Sequence, residues 1–170
     1  IIIFLLGAMT IVEIIDYFNG FATIKSFIKT KSKKGLLFIF SSLAFILSAI
    51  IDNLTATIVL ITILQKVIKD RNTRIWFAGL IIISANSGGA WSPIGDLTTT
   101  MLWIGNKVTT LKLIIYLLIP SLVCMFIPVL IASTLKAFSG NINEDLDELE
   151  SETHKYGAPM LYIGLSAIVF

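Results

Sequence analysis

Apolar residues run through this chain in long blocks separated by short polar stretches, and the lengths and interruptions of those blocks carry most of the information. A helix rises about 1.5 Å per residue, so about 20 apolar residues cross a hydrocarbon layer of about 30 Å. Residues 1–24 form the first block and are read as a transmembrane helix whose true start is missing. Residues 35–68 form the second, two apolar arms around a polar tip at Asp52-Asn53-Leu54-Thr55. Two spans joined by a tight turn and a re-entrant hairpin both fit. Arms of about 16 residues make only roughly 24 Å of helix, and the tip lacks the Lys, Arg, Trp or Tyr that anchor a turn at an interface, so the hairpin is favoured.

Residues 75–105 are long enough to span, yet 84–96 read Ser84-Ala85-Asn86-Ser87-Gly88-Gly89-Ala90-Trp91-Ser92-Pro93-Ile94-Gly95-Asp96. Glycine lowers helix propensity, and a proline pushes the residue before it out of helical geometry. The pattern predicts a broken transmembrane helix with an unwound centre at 84–96, its backbone shaped by Gly88, Gly89, Ser92, Pro93 and Gly95. Ser92-Pro93 also fits an N-cap with proline at the first helical position. Residues 113–135 form an uncharged transmembrane helix, with kinks expected at Pro120 and Pro128. Residues 136–158, rich in Asp and Glu, read as a solvated cytoplasmic linker, and 159–170 as the cut start of another transmembrane helix.

Composition agrees with this reading: 56% of residues are hydrophobic and 14% charged, too apolar for a hydrated surface. The net charge of +2 says little, but its placement says more. Lys25, Lys29, Lys31, Lys33 and Lys34 form one basic cluster and Lys66, Lys69, Arg71 and Arg74 another, which puts both on the cytoplasmic side. Cys124, the only cysteine, lies in an apolar run and is expected to pack as a small hydrophobe.

Of the eleven Asp and Glu residues, six lie in the linker and Asp70 in a basic cluster. Glu13, Asp16, Asp52 and Asp96 are left at membrane depth, where an acidic side chain costs about 2.5–3.5 kcal/mol unless it faces a polar cavity. Unwound backbone in a bilayer must likewise be buried in protein or line water. Discontinuous helices of this kind build the midplane sites of secondary transporters. Asp52 and Asp96 occupy the two interruptions, among Asn53, Thr55, Thr57, Asn86, Ser87, Ser92, Thr98, Thr99 and Thr100. Oxygen donors without His or Cys suit a hard cation. Two carboxylates with no neighbouring Lys or Arg repel anions and attract Na+ or H+, and competition between those two ions for one carboxylate is antiport. Helix capping is the simpler role for both aspartates, and capping or packing is favoured for Ser92, Thr57 and Thr100. Glu13 and Asp16 share a helix face with Thr10; they either line the ion pathway or cap and anchor that helix.

The stretches Ser48-Ala49-Ile50-Ile51-Asp52-Asn53-Leu54-Thr55 and Gly88-Gly89-Ala90-Trp91-Ser92-Pro93-Ile94-Gly95-Asp96-Leu97-Thr98-Thr99-Thr100-Met101-Leu102-Trp103 resemble NhaD sodium/proton antiporters, and Gly7 to Asp16 resembles that family's preceding helix. The resemblance implies the ion transporter superfamily, with its citrate transporter-like fold. That fold is an all-α polytopic membrane protein in which two inverted repeats each hold a re-entrant helical hairpin and a discontinuous transmembrane helix, and one repeat is present here. It also implies that Asp52, Asn53, Asn86, Asp96, Thr98 and Thr99 match positions important for ion transport. Dicarboxylate relatives carry neutral Ser-Asn-Thr tips, and the acidic tip here departs from them in the direction a cation requires.

These observations lead to one expectation: a multi-pass protein of the inner, cytoplasmic membrane that exchanges Na+ or Li+ for H+ at Asp52 and Asp96, with Asn53, Thr55, Asn86, Thr98 and Thr99 around them. It is expected to need no cofactor, to catalyse no reaction, and to meet lipid, the second repeat of the same protein and a second copy of itself, with no nucleic acid. A symporter or permease of the same superfamily, carrying an anion, is the first rival. An intramembrane aspartyl protease is another, but its Gly-x-Gly-Asp signature fails at Pro93-Ile94-Gly95-Asp96.

Overall fold

Three aspartates set the helix starts. In the computed structural model, which describes residues 30 and 32–141 together with Leu6, Gly7, Thr10, Ile11, Glu13, Ile14, Tyr17, Phe18, Pro159 and Ile163, the side chains of Asp52, Asp70 and Asp96 accept from the backbone N–H of Thr55, Thr73 and Thr98. Each thereby satisfies a donor that the first turn of a helix leaves unpaired. Hydrogen bonds from Thr73, side chain foremost, hold the Asp70 carboxyl below the usual carboxylate range. The cap is therefore fully formed above that range and is lost as the pH falls through the lowered value.

The chain divides into two units, residues 1–29 with 145–170, and residues 30–144. In the first, the described residues between Leu6 and Tyr17 are helical, with Glu13 exposed. Asp16 lies outside the described residues, as do most of 1–24, 142–158 and most of 159–170.

The second unit contains α1 (Lys33–Ile50), α2 (Asn53–Val67), α3 (Arg71–Ala90), α4 (Leu97–Ile104), α5 (Thr110–Thr134) and a 3-10 turn at Lys136–Phe138. The arms of the 35–68 segment are thus helices of 18 and 15 residues with the break confined to Ile51 and Asp52. Among the described helices, α1 and α5 are long and apolar enough to cross a membrane. α3 has the length but carries Arg71, Arg74, Asn86 and Ser87.

α1 and α3 run in the same direction. Phe40 meets Phe77 edge to face, with ring centroids 6.3 Å apart, and one end further along Ser48 Oγ donates to the carbonyl of Ala85 at 2.6 Å. α2 runs back between the two ends, since its first residue, Asn53, touches Asn86 late in α3. Leu36, Leu37 and Phe40 of α1, Leu60 and Leu64 of α2, and Phe77 and Ile81 of α3 fill the core at nearly zero exposure. Asn106, in left-handed geometry at φ 55°, closes α4 and turns the chain into α5. Lys33 N–H then pairs with Gly140 O at 3.1 Å, so α5 delivers the chain to the end where α1 began.

Four expectations need correction. The linker does not begin at 136: Phe138 is fully buried against Phe77, with ring centroids 5.1 Å apart, because an aromatic ring gains more from core contact than a solvated loop would allow it. Cys124 is exposed rather than packed, on the face of α5 that also exposes Ile127 and Ile131. Ser92-Pro93 does not open a helix; Asp96 does, and Ser92 bonds elsewhere.

The last concerns the break in the third segment, which is shorter than 84–96. Helix α3 continues through Gly88 and Gly89 to Ala90, leaving 91–96 unwound. These glycines are there for closeness rather than for bending. A Cβ on Gly88 would stand 2.1 Å from the carbonyl oxygen of Phe45, and one on Gly95 would stand 2.2 Å from that of Ser48 and 2.7 Å from the Cα of Gly89. Backbone therefore lies directly on backbone where α1 ends, and packing at that crossing offsets the roughly 1 kcal/mol by which each helical glycine disfavours α3.

Candidate functional site

Four helix ends come together at this crossing: the C-terminal ends of α1 and α3 and the N-terminal ends of α2 and α4. Three hydrogen bonds fasten them. Ser48 Oγ donates to Ala85 O, Ser92 Oγ donates to Ala49 O at 2.5 Å, and the backbone N–H of Asn53 donates to Gly95 O at 3.1 Å. Ser48 and Ser92 are buried, so the unwound 91–96 segment is held against the end of α1 by polar groups that have no solvent to turn to.

On this frame the side chain of Asn53 bridges two elements. Its Nδ2 donates to Asn86 Oδ1 of α3 and to Asp96 Oδ2 at the start of α4, each at 3.0 Å. The other oxygen of Asp96 accepts from Thr98 N at 2.7 Å and from the Thr98 hydroxyl. Asp52, one residue before Asn53, is engaged by its own helix start: Oδ1 accepts from Thr55 N at 2.8 Å and Oδ2 from the Thr55 hydroxyl at 2.6 Å. The positive ends of two helix dipoles thus each meet a carboxylate.

The structure therefore joins Asn53, Asn86, Asp96 and Thr98 in one hydrogen-bonded group and places Asp52 and Thr55 beside it in the chain. Thr99 is turned away from this group. It is buried, and its hydroxyl donates to the carbonyls of Ser92 at 3.0 Å and Asp96 at 2.9 Å, bracing the unwound segment. Thr57 and Thr100 bond back to the carbonyls of Asn53 and Asp96, as packing roles require. Glu13 belongs to the other unit and Asp16 lies outside the described residues.

Capping accounts for part of what both aspartates do, but Ser or Thr would cap as well without placing a charge. What the cap does not require is the amide bridge, in which the Asn53 nitrogen of α2 draws an amide oxygen of α3 and a carboxylate oxygen at the start of α4 to one point. Sequence reasoning singled out each member of the bridge without pairing them. It missed Ser48 as a fastener, although small residues at helical spacing on α1 (Ser41, Ala44, Ser48) and on α3 (Ser84, Gly88) are the signature of close helix contact.

The sequence pattern of the citrate transporter family, CitMHS, matches residues 1–169. The chain belongs to this family. Sodium/proton antiporter 1 of Arabidopsis thaliana is 41% identical over 171 residues, covering all of this chain and 30% of the relative. Sodium/proton antiporter 2 of the same plant is 41% identical over 140 residues, 82% of this chain and 33% of the relative. The Na+/H+ antiporter NhaD of Vibrio cholerae is 31% identical over 174 residues, all of this chain and 36% of the relative. The chain spans about a third of the length of these proteins. No solved structure matches it. A transporter family, with relatives named as antiporters, leaves the aspartyl protease reading without support.

Proposed function

We propose that this citrate transporter family member is part of an antiporter that exchanges Na+ or Li+ for H+ across the cytoplasmic membrane. Asp52 and Asp96, with Asn53, Asn86, Thr55 and Thr98, supply one half of the cation site. The observation that carries this reading is the Asn53 bridge. It gathers a carboxylate and an amide oxygen from separate helices beside a second carboxylate, at a crossing where backbone is already unwound. No Lys or Arg occurs in residues 35–65 or 75–106, so the charge at this crossing is anionic. The names of the relatives point the same way.

In this proposal α1 and α2 are the arms of a re-entrant hairpin, and α3 and α4 the halves of a broken transmembrane helix. A second, inverted repeat supplies the facing half of the site, two copies associate, and a proton and a sodium ion take turns on the same carboxylates.

The family's description names citrate, an anion, and that favours one rival: an anion carrier whose second repeat brings cationic residues to the site. Both readings meet the same experiment. The full-length parent, in everted membrane vesicles with an internal pH dye, is given Na+, Li+ or citrate. Antiport predicts that Na+ or Li+ discharges the proton gradient in wild type and that Asp52→Ala and Asp96→Ala each lose at least about tenfold in rate, as expected when a charged ligand is removed. Wild-type exchange in both variants, or a response to citrate alone, overturns it.

A further inference from the structure

The nitrogen of the Asn53 carboxamide occupies an unusual position. It lies 3.0 Å from Asn86 Oδ1 and 3.0 Å from Asp96 Oδ2, one hydrogen for each oxygen. The chemistry around it fixes this orientation. Asn86 donates its own amide nitrogen to Ile82 O at 2.8 Å, which turns Asn86 Oδ1 toward Asn53. Asp96, as a carboxylate, offers only acceptors, and its other oxygen is taken by Thr98. If the Asn53 amide turned half a revolution, its Oδ1 would face two oxygens, an arrangement that repels unless a positive charge lies between them.

We propose that the Asn53 carboxamide is an internal stand-in for the transported cation, a role that rests on the antiporter reading above. With the site empty, its NH2 group holds Asn86 Oδ1 and Asp96 Oδ2 together and keeps the carboxylate hydrogen-bonded. When a monovalent cation arrives, the amide rotates and offers Oδ1, so that Asn53, Asn86 and Asp96 present three oxygens to the ion. The backbone need not move. Asn53 N–H is tied to Gly95 O and Asn53 O accepts from the Thr57 hydroxyl at 2.7 Å, so the turn is confined to one side-chain bond. Asn86 is exposed and Asn53 half-buried, which leaves the amide accessible to an entering ion.

The cation then displaces hydrogen bonds rather than filling a void, and Asn53 sets affinity from both sides: it competes with the ion when the site is empty and binds it when the site is full. Asp52 stays outside the swap, because both its oxygens are held by Thr55.

The direct test is a sodium titration of the full-length parent with asparagine side-chain nitrogens labelled with 15N, the Asn53 signal being identified by its absence from Asn53→Asp. Choline serves as the control cation. The Asn53 carboxamide signals are expected to move with Na+, not with choline, and to reach half their shift at the concentration that half-saturates exchange. Signals that stay fixed while exchange saturates overturn the proposal. In vesicles, Asn53→Asp keeps an oxygen and loses the competing donor. Half-saturating Na+ is expected to fall roughly tenfold, the size expected for losing one hydrogen bond to a charged group, with slower turnover; a rise overturns the stand-in role. If Asp52→Ala and Asp96→Ala exchange normally, the antiporter site itself is wrong. If they are inactive but Asn53 ignores sodium, only the stand-in role fails.

Discussion

Asp96 shows how one side chain serves two ends. As the first residue before α4 it accepts from Thr98, and through its other oxygen it accepts from Asn53. The two roles separate on substitution. Asn keeps an oxygen that can cap the helix but removes the charge, whereas Ala removes both. Asp96→Ala is expected to destabilise the full-length protein by about 1–2 kcal/mol, from a lost cap and a lost hydrogen bond. Asp96→Asn should cost a fraction of that, while both are expected to slow exchange at least about tenfold; thermal unfolding in detergent beside the vesicle assay separates the effects. The candidates themselves were legible in the sequence, because an acidic residue in an apolar block is costly and therefore conspicuous. Their pairing was not. Asn53 and Asp96 are 43 residues apart, and nothing local to either says which will meet.

At the scale of elements, the hairpin-like arms and the interruption after α3 were visible as breaks in hydrophobic pattern, but the role of the glycines was inverted. A glycine pair reads as a helix breaker when only propensity is weighed. Tertiary contact overrides propensity where backbone must approach backbone, and the carbonyls of Phe45 and Ser48 leave no room for a methyl group. Gly79 provides the contrast within the same helix, since a Cβ there would meet nothing within 4 Å. Gly88→Ala is expected to cost about 1–3 kcal/mol by overpacking and to lower exchange by displacing the 91–96 segment. Gly79→Ala is expected to be neutral or to gain up to about 1 kcal/mol from helix propensity. Equal melting temperatures for the two variants would refute the close-approach account. Phe138 was lost for a related reason: a local window assigns the residues after an apolar helix to the polar stretch that follows, and only the ring's partner, Phe77, reveals it as core.

In the whole molecule, all-helical architecture follows from the apolar blocks, since backbone in lipid must satisfy its own hydrogen bonds. α5 illustrates this: Leu111, Ile115, Ile119, Phe126, Leu130 and Ile131 are exposed along a helix long enough to cross a membrane. The site opens at one side through Asn86 and Thr98, both exposed. This chain spans about a third of the length of its relatives.

Equilibrium binding of Na+ to the purified full-length parent, followed by calorimetry in buffers of different ionisation enthalpy, tests the central claim most directly. One saturable sodium-binding process that releases protons, and that disappears in Asp52→Asn and Asp96→Asn while folding is retained, is the predicted result. Sodium binding with unchanged affinity and proton release in both variants would contradict it.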